Sequence, residues 1–237
     1  MTKKSFQQMR YIVIRKAVSS DLACFVYNYF LMKRQVAETM RNTQYIPPST
    51  TDWGTWEDSQ VPNTYSHYGD IAMETLLLKV QPVIEKKIKL RLSPTYSYAR
   101  IYKNGDVLAR HKDRFSCELS ATMNLGGDHW PIYLNPNPKG GHVYGPLKGV
   151  HGVQDYQPSK SKGVKVDLKP GDMLVYSGCE LEHWRKEFKG DECAQVFLHY
   201  NIDDYLSNTV VRGKAANIYD TRKHLGLPIA FKHRDAE

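Results

Sequence analysis

Two histidines and one aspartate set the chemistry open to this chain. His111 and Asp113 stand two apart in Leu108-Ala109-Arg110-His111-Lys112-Asp113-Arg114, and His183 lies downstream. Two imidazoles and a carboxylate are the facial donor set of a non-haem iron(II) ion, with three coordination positions left open for dioxygen and a co-substrate. In a strand, residues i and i+2 point to one side, so His111 and Asp113 can reach the same ion while Lys112 points away. His183 follows a strand-like run, Asp172-Met173-Leu174-Val175-Tyr176, entered through the turn Lys169-Pro170-Gly171.

The elements that must hold these groups are legible as periodicities. Helical spacing of Leu22, Phe25, Val26, Tyr29, Met32, Val36 and Met40 predicts an amphipathic helix over 19–43, capped by Ser19, Ser20 or Asp21. A second helix is expected from Asp70 to about Lys89, kinked or broken at Pro82. Residues 43–69, with Pro47-Pro48 and Asp52-Trp53-Gly54-Thr55-Trp56, read as a long loop. After Pro94 short alternating segments follow at 96–102, 107–111, 117–125, 131–134, 164–168, 173–176 and 194–201, punctuated by Gly and Pro. That pattern predicts a mainly β fold with supporting α-helices, as in a sandwich or jelly-roll barrel. Residues 135–163 read as a long insertion or mobile flap. The expected organisation is a helical support and loop region over 1–93, a jelly-roll core over 94–202 and a C-terminal extension over 203–237.

Composition narrows the function classes. A hydrophobic content of 41% with 16 tyrosines fits an ordered globular protein, and no apolar run is long enough to cross a bilayer. Residues 1–8 are basic without an apolar segment, so cytoplasmic residence is the default expectation. Cys24, Cys117, Cys179 and Cys193 show no CxxC spacing, which argues for reduced thiols over a disulfide framework or a zinc site. The net charge of +8 admits a nucleic-acid partner, yet it is spread along the chain with no basic block interleaved with aromatics, as on a solvated basic surface.

Taken in order, Tyr98-Ala99-Arg100-Ile101-Tyr102-Lys103-Asn104-Gly105, His111-Lys112-Asp113, Lys169-Pro170-Gly171-Asp172-Met173-Leu174-Val175-Tyr176 and His183 resemble the Fe(II)/2-oxoglutarate-dependent dioxygenases, nearest to the prolyl 4-hydroxylase-like branch. The resemblance spans roughly residues 94–201. It implies a double-stranded β-helix with Fe(II) held by His111, Asp113 and His183. It also implies 2-oxoglutarate and O2 as co-substrates, with release of succinate and CO2, ascorbate as reductant, and hydroxylation of a peptidyl (nearest, prolyl) or small-molecule substrate. Asp113 favours hydroxylation over halogenation, because halogenases of this superfamily leave that coordination position to halide. Tyr102 matches the family tyrosine that contacts 2-oxoglutarate.

The resemblance fails at one point. Family members carry Lys or Arg about ten positions beyond the distal histidine to bind the distal carboxylate, and here that stretch reads Glu192-Cys193-Ala194-Gln195. The substitutes are Arg185, two residues past His183, and Arg100, two before Tyr102, each offering a fork that matches a carboxylate. Gln195 could add a neutral hydrogen bond. His199 competes as a ligand but reads as a polar core residue satisfied by hydrogen bonding. Arg114 and Glu118 could pair across the mouth of the site or as a solvated surface pair, and Trp53, Trp56, Trp130 and Trp184 could form a substrate platform or serve packing. Two functions of other classes fit the same pattern: a cupin-like metal- or sugar-binding module without turnover, and oxidative modification of nucleic acid.

Overall fold

The computed structural model describes residues 5–114, 117–140, 142–144 and 155–202. In chain order the elements are α1 (Phe6–Met9), β1 (Tyr11–Ile14), α2 (Ser20–Asn42), β2 (Ser66–Tyr68), α3 (Ile71–Ile88), β3 (Leu92–Lys103) and β4 (Leu108–His111). They continue with β5 (Leu119–Gly127), β6 (Ile132–Leu134), β7 (His142–Tyr144), β8 (Asp155–Gln157), β9 (Val164–Val166), β10 (Met173–Tyr176), β11 (His183–Arg185) and β12 (Glu192–Ile202). A six-stranded sheet runs β1-β10-β5-β12-β3-β2 and a four-stranded sheet runs β4-β11-β6-β9, while β7 and β8 form a separate hairpin. The strand pairs are antiparallel. The result is the mainly β architecture with supporting helices that the alternation foretold, in the double-stranded β-helix form that the family resemblance implied.

The period-two rule sorts the large sheet into two chemistries. Ala99 and Ile101, Ala121, Met123 and Leu125, Met173 and Val175, and Ala194, Val196 and Leu198 form one apolar core with Phe30 of α2 and Met73, Leu77, Val80 and Ile84 of α3. The residues between them are Tyr98, Arg100 and Tyr102, then Ser120 and Thr122, Tyr176, and Gln195, Phe197 and His199. They turn to the space between the sheets. The helices therefore cover the outer face, and the inner face is free to carry polar groups.

Helix ends follow local chemistry. Ser19 caps α2 by accepting from Leu22 N, and Asp70 caps α3 by accepting from Ala72 N and Met73 N. Of the two outcomes expected at Pro82, the break does not occur, and α3 runs through it as one helix. A proline in a helix costs about 3 kcal/mol. Pro82 is exposed, however, and buried Leu77, Val80, Ile84 and Ile88 flank it, each worth roughly 1.5–3 kcal/mol on burial.

Further expectations need amendment. The stretch read as loop over 43–69 contains β2, an edge strand on β3, and the bridge between Thr55 and Ser66. The boundary expected at residues 93 and 94 falls inside β3, and β1 and β2 from the first 93 residues are strands of the large sheet. The insertion expected over 135–163 holds the β7-β8 hairpin and β8 runs on to Gln157, although residues 145–154 lie outside the described residues, as does the extension expected over 203–237. All four cysteines are free thiols. Among the described residues no helix is long and apolar enough to cross a membrane.

Candidate metal centre

His111, the last residue of β4, is the Cα partner of His183, the first residue of β11. Strand pairing alone therefore faces the two imidazoles, whose centroids lie 4.2 Å apart. Asp113 lies just past the end of β4, and its N–H donates to the Gly178 carbonyl (2.9 Å), which turns its carboxylate inward. Asp113 Oδ1 is 3.7 Å from His111 Nε2 and 3.4 Å from His183 Nε2. One ligand atom from each residue falls within 4.8 Å of the others. Lys112 does not simply point away: it lines the same cavity and donates to the Pro138 carbonyl (3.1 Å).

Both rings are held in one tautomer. His111 Nδ1 is 2.8 Å from the Ala109 carbonyl and His183 Nδ1 is 3.0 Å from the Leu181 carbonyl. A carbonyl only accepts, so each Nδ1 carries the proton and each Nε2 keeps a lone pair toward the centre. Ser120 Oγ donates to Asp113 Oδ2 (2.6 Å) and lies 3.0 Å from His199 Nδ1. His199 is thus a buried polar residue satisfied by hydrogen bonding, one step behind the carboxylate.

Gly178 makes room for that carboxylate. A Cβ there would come within 2.5 Å of Asp113 Oδ2 and of the Cys117 carbonyl oxygen, and it would also strike Ser120 Oγ. Gly178→Ala should displace Asp113 and weaken Fe(II) binding by roughly 10- to 100-fold, the usual effect of disturbing a ligand's support. An Fe(II) titration that matches the parent would show that Asp113 tolerates the shift.

Charge sets the pH response. Burial works against the Asp113 carboxylate, but His183, by charge and hydrogen bond, then His199 and His111, hold its pKa far below the usual carboxylate range. Burial also opposes the charged form of His183, and Asp113 outweighs it, raising the His183 pKa above its ordinary value of 6.5. About a quarter of the His111 side chain is open to solvent, yet its poorly solvating surroundings, then His183, lower its pKa to about 4 despite Asp113. In the metal-free protein the His183–Asp113 attraction stabilises the fold at low pH and is lost as pH rises through the raised His183 pKa. Metal needs neutral imidazoles, so between about pH 4 and the His183 pKa one proton must leave on binding. Metal affinity should therefore fall about tenfold for each unit by which pH is lowered through that window. A slope of two would mean that both rings are charged there.

Behind these three side chains lie the two arginines the sequence offered as anchors for a dicarboxylate. Arg185 is 1% exposed and donates to the Trp130 carbonyl, to Gln195 Oε1 (3.1 Å) and to Thr122 Oγ1 (3.5 Å), while its Nε is buried without a partner. Among the described residues no carboxylate pairs with it. Burial lowers its pKa, the mark of a cation short of compensation. Arg100 is also buried, but it forms an ion pair with Asp58 and donates to Gln60 Oε1 (3.2 Å), the Tyr98 hydroxyl and the Tyr102 hydroxyl (3.3 Å each). Its charge is already met.

The ligands open into a cavity of about 340 Å³ whose far wall is aromatic: Tyr68, Tyr96, Tyr98 and Phe197. None of the four tryptophans lines it; Trp130 packs on Tyr102 and Phe188, and Trp184 on Tyr133. Arg114 stacks its guanidinium over the Tyr96 ring (5.1 Å), and Glu118 accepts from Ile202 N (3.0 Å). Asp58 and Gln60 were missed from sequence. They reach the cavity from the segment before β2, and Gln60 Nε2 lies 3.4 Å from His111 Nε2.

Comparison with known proteins places this geometry. No family model matches the chain, and no curated protein matches it by sequence. Solved structures do match. A prolyl-4-hydroxylase from Pseudomonas putida superposes with a TM-score of 0.53 at 14% identity, over 84% of this chain and 96% of that one. EctD from S. alaskensis with bound Fe gives 0.55 at 14% identity, over 84% of this chain and 74% of that one. The α-ketoglutarate-dependent epimerase SnoN of nogalamycin biosynthesis gives 0.52 at 12% identity, over 82% and 79%. The fold is that of the 2-oxoglutarate/Fe(II) oxygenases. Within this oxygenase fold, His111 and His183 face each other from the small sheet, whereas Tyr102 and Gln195 come from the large one. Arg185 crosses between the sheets to reach Gln195 and Thr122.

Proposed function

We propose that this protein is an Fe(II)- and 2-oxoglutarate-dependent oxygenase that hydroxylates a peptidyl, including prolyl, or small-molecule substrate. Fold alone does not carry that reading, since one fold serves many functions. What supports it is a convergence: two Nε2 lone pairs and a carboxylate aim at one point, and a buried guanidinium without an anionic partner among the described residues lies behind them. The donor set fits Fe(II), and the uncompensated Arg185 fits one end of a dicarboxylate.

In this reading His111, Asp113 and His183 hold the metal, Arg185 and Gln195 take the distal carboxylate, and Tyr102 flanks the co-substrate. When bound, iron and 2-oxoglutarate together activate O2 and supply a hydroxylating oxidant, with loss of succinate and CO2. The chain's own work is positional. Ser120 fixes the rotation of the Asp113 carboxylate, and the Ala109 and Leu181 carbonyls fix the two rings. The wall of Tyr68, Tyr96, Tyr98 and Phe197 excludes water and orients an apolar C–H toward the metal face.

A succinate-release assay with Fe(II), 2-oxoglutarate and ascorbate tests the proposal against prolyl peptides, free amino acids, other small molecules and oligonucleotides. Succinate formed with matching oxygen uptake is expected for one of these classes. Metal binding with no 2-oxoglutarate consumption under any condition would leave a binding module instead.

A further inference from the structure

We infer that Tyr176 is a co-substrate-binding residue whose hydroxyl donates a hydrogen bond to the distal carboxylate of the 2-oxo acid beside Arg185. The inference rests on the proposed function, because it names a contact to that co-substrate.

Tyr176 is the last residue of β10, and alternation puts it on the inner face with Leu174. Its ring packs among Ile132, Leu134 and Leu181 and lies 4.7 Å from the His183 ring. It lines the cavity with the three ligands, yet it is only 1% exposed. A phenol in such a place ordinarily finds a hydrogen-bond partner. The other inner tyrosines have theirs: Tyr96 with Cys117 Sγ (3.2 Å), Tyr98 with Asp58, and Tyr102 with Arg100 (3.3 Å). Among the described residues the Tyr176 hydroxyl has none. It is the exception on that face.

Its surroundings say what the missing partner is. A phenol keeps its proton at neutral pH, and the ring against which Tyr176 packs, His183, shares its strand face with Arg185 two residues on. The hydroxyl therefore serves as a donor on the strand face that carries both His183 and the uncompensated Arg185 guanidinium. A molecule chelating iron at one end and meeting Arg185 at the other would pass this O–H, and a carboxylate oxygen is its natural acceptor. The sequence offered no means to single Tyr176 out, because as the final residue of an apolar strand it reads as core.

The test is anaerobic calorimetry of Fe(II)-loaded protein, comparing the parent with Tyr176→Phe, which keeps the ring and removes only the hydroxyl. The 2-oxoglutarate dissociation constant should rise by roughly 10- to 100-fold, as for loss of a hydrogen bond to a charged group. Fe(II) affinity should be unchanged, and so should the affinity for 2-oxobutyrate, which lacks the distal carboxylate. If Tyr176→Phe binds 2-oxoglutarate like the parent, or loses 2-oxobutyrate equally, the assignment is wrong and the tyrosine only packs. If the parent itself binds no 2-oxoglutarate, the proposed function fails first and takes this assignment with it.

Discussion

Arg185→Met is expected to raise the dissociation constant for 2-oxoglutarate a few hundredfold while leaving Fe(II) affinity intact. The size follows from leaving a carboxylate buried without its cation, which costs about 3–4 kcal/mol. The Arg100→Met variant is the control that gives the experiment meaning. Arg100 already neutralises Asp58, so its loss should unsettle the Asp58–Gln60 segment and lower Tm, with a smaller effect on the co-substrate. Anaerobic binding isotherms and melting curves for both variants separate the two roles. Equal binding by both would move the anchor elsewhere or point to a different co-substrate. In the latter case a 2-oxo acid without a distal carboxylate should support turnover better.

His111→Ala, Asp113→Ala and His183→Ala should each reduce metal-dependent turnover to background while the protein stays folded. These side chains sit at the inner end of a cavity, and the apolar core that joins the helices to the large sheet lies on the other face of that sheet. Asp113→Gly is the most instructive of the series. It removes the carboxylate that Ser120 orients and that raises the His183 pKa, so weak two-histidine metal binding should survive with hydroxylation lost. Succinate release and circular dichroism on the four variants decide it. A variant with full activity is no ligand.

Much of this was readable in the residue order, because β geometry converts a spacing of two into a shared face. That rule put Arg185 on the face of His183 and Arg100 on the face of Tyr102. It failed where side chains from distant segments meet. Ser120 and His199 belong to neighbouring strands whose pairing no local pattern states, and Asp58 and Gln60 arrive from a stretch with no periodicity at all. β1 and β2 were overlooked because runs of four and three residues are too short to show alternation. The break allowed for at Pro82 does not occur, because its buried neighbours carry the helix through. The aromatic wall was half visible: Tyr96 and Tyr98 share a face in sequence, whereas Tyr68 and Phe197 join them only through pairing with β3.

Gln60 Nε2 lies 3.4 Å from His111 Nε2, the nitrogen that the proposed metal site uses. Metal capture there would be a substitution and not a simple addition, since the amide has to leave before the lone pair is offered. The same side chain accepts from Arg100, which in turn donates to Tyr102. One side chain thus ties the His111 ring to the Arg100–Tyr102 pair, so that a change at either is transmitted through a single amide.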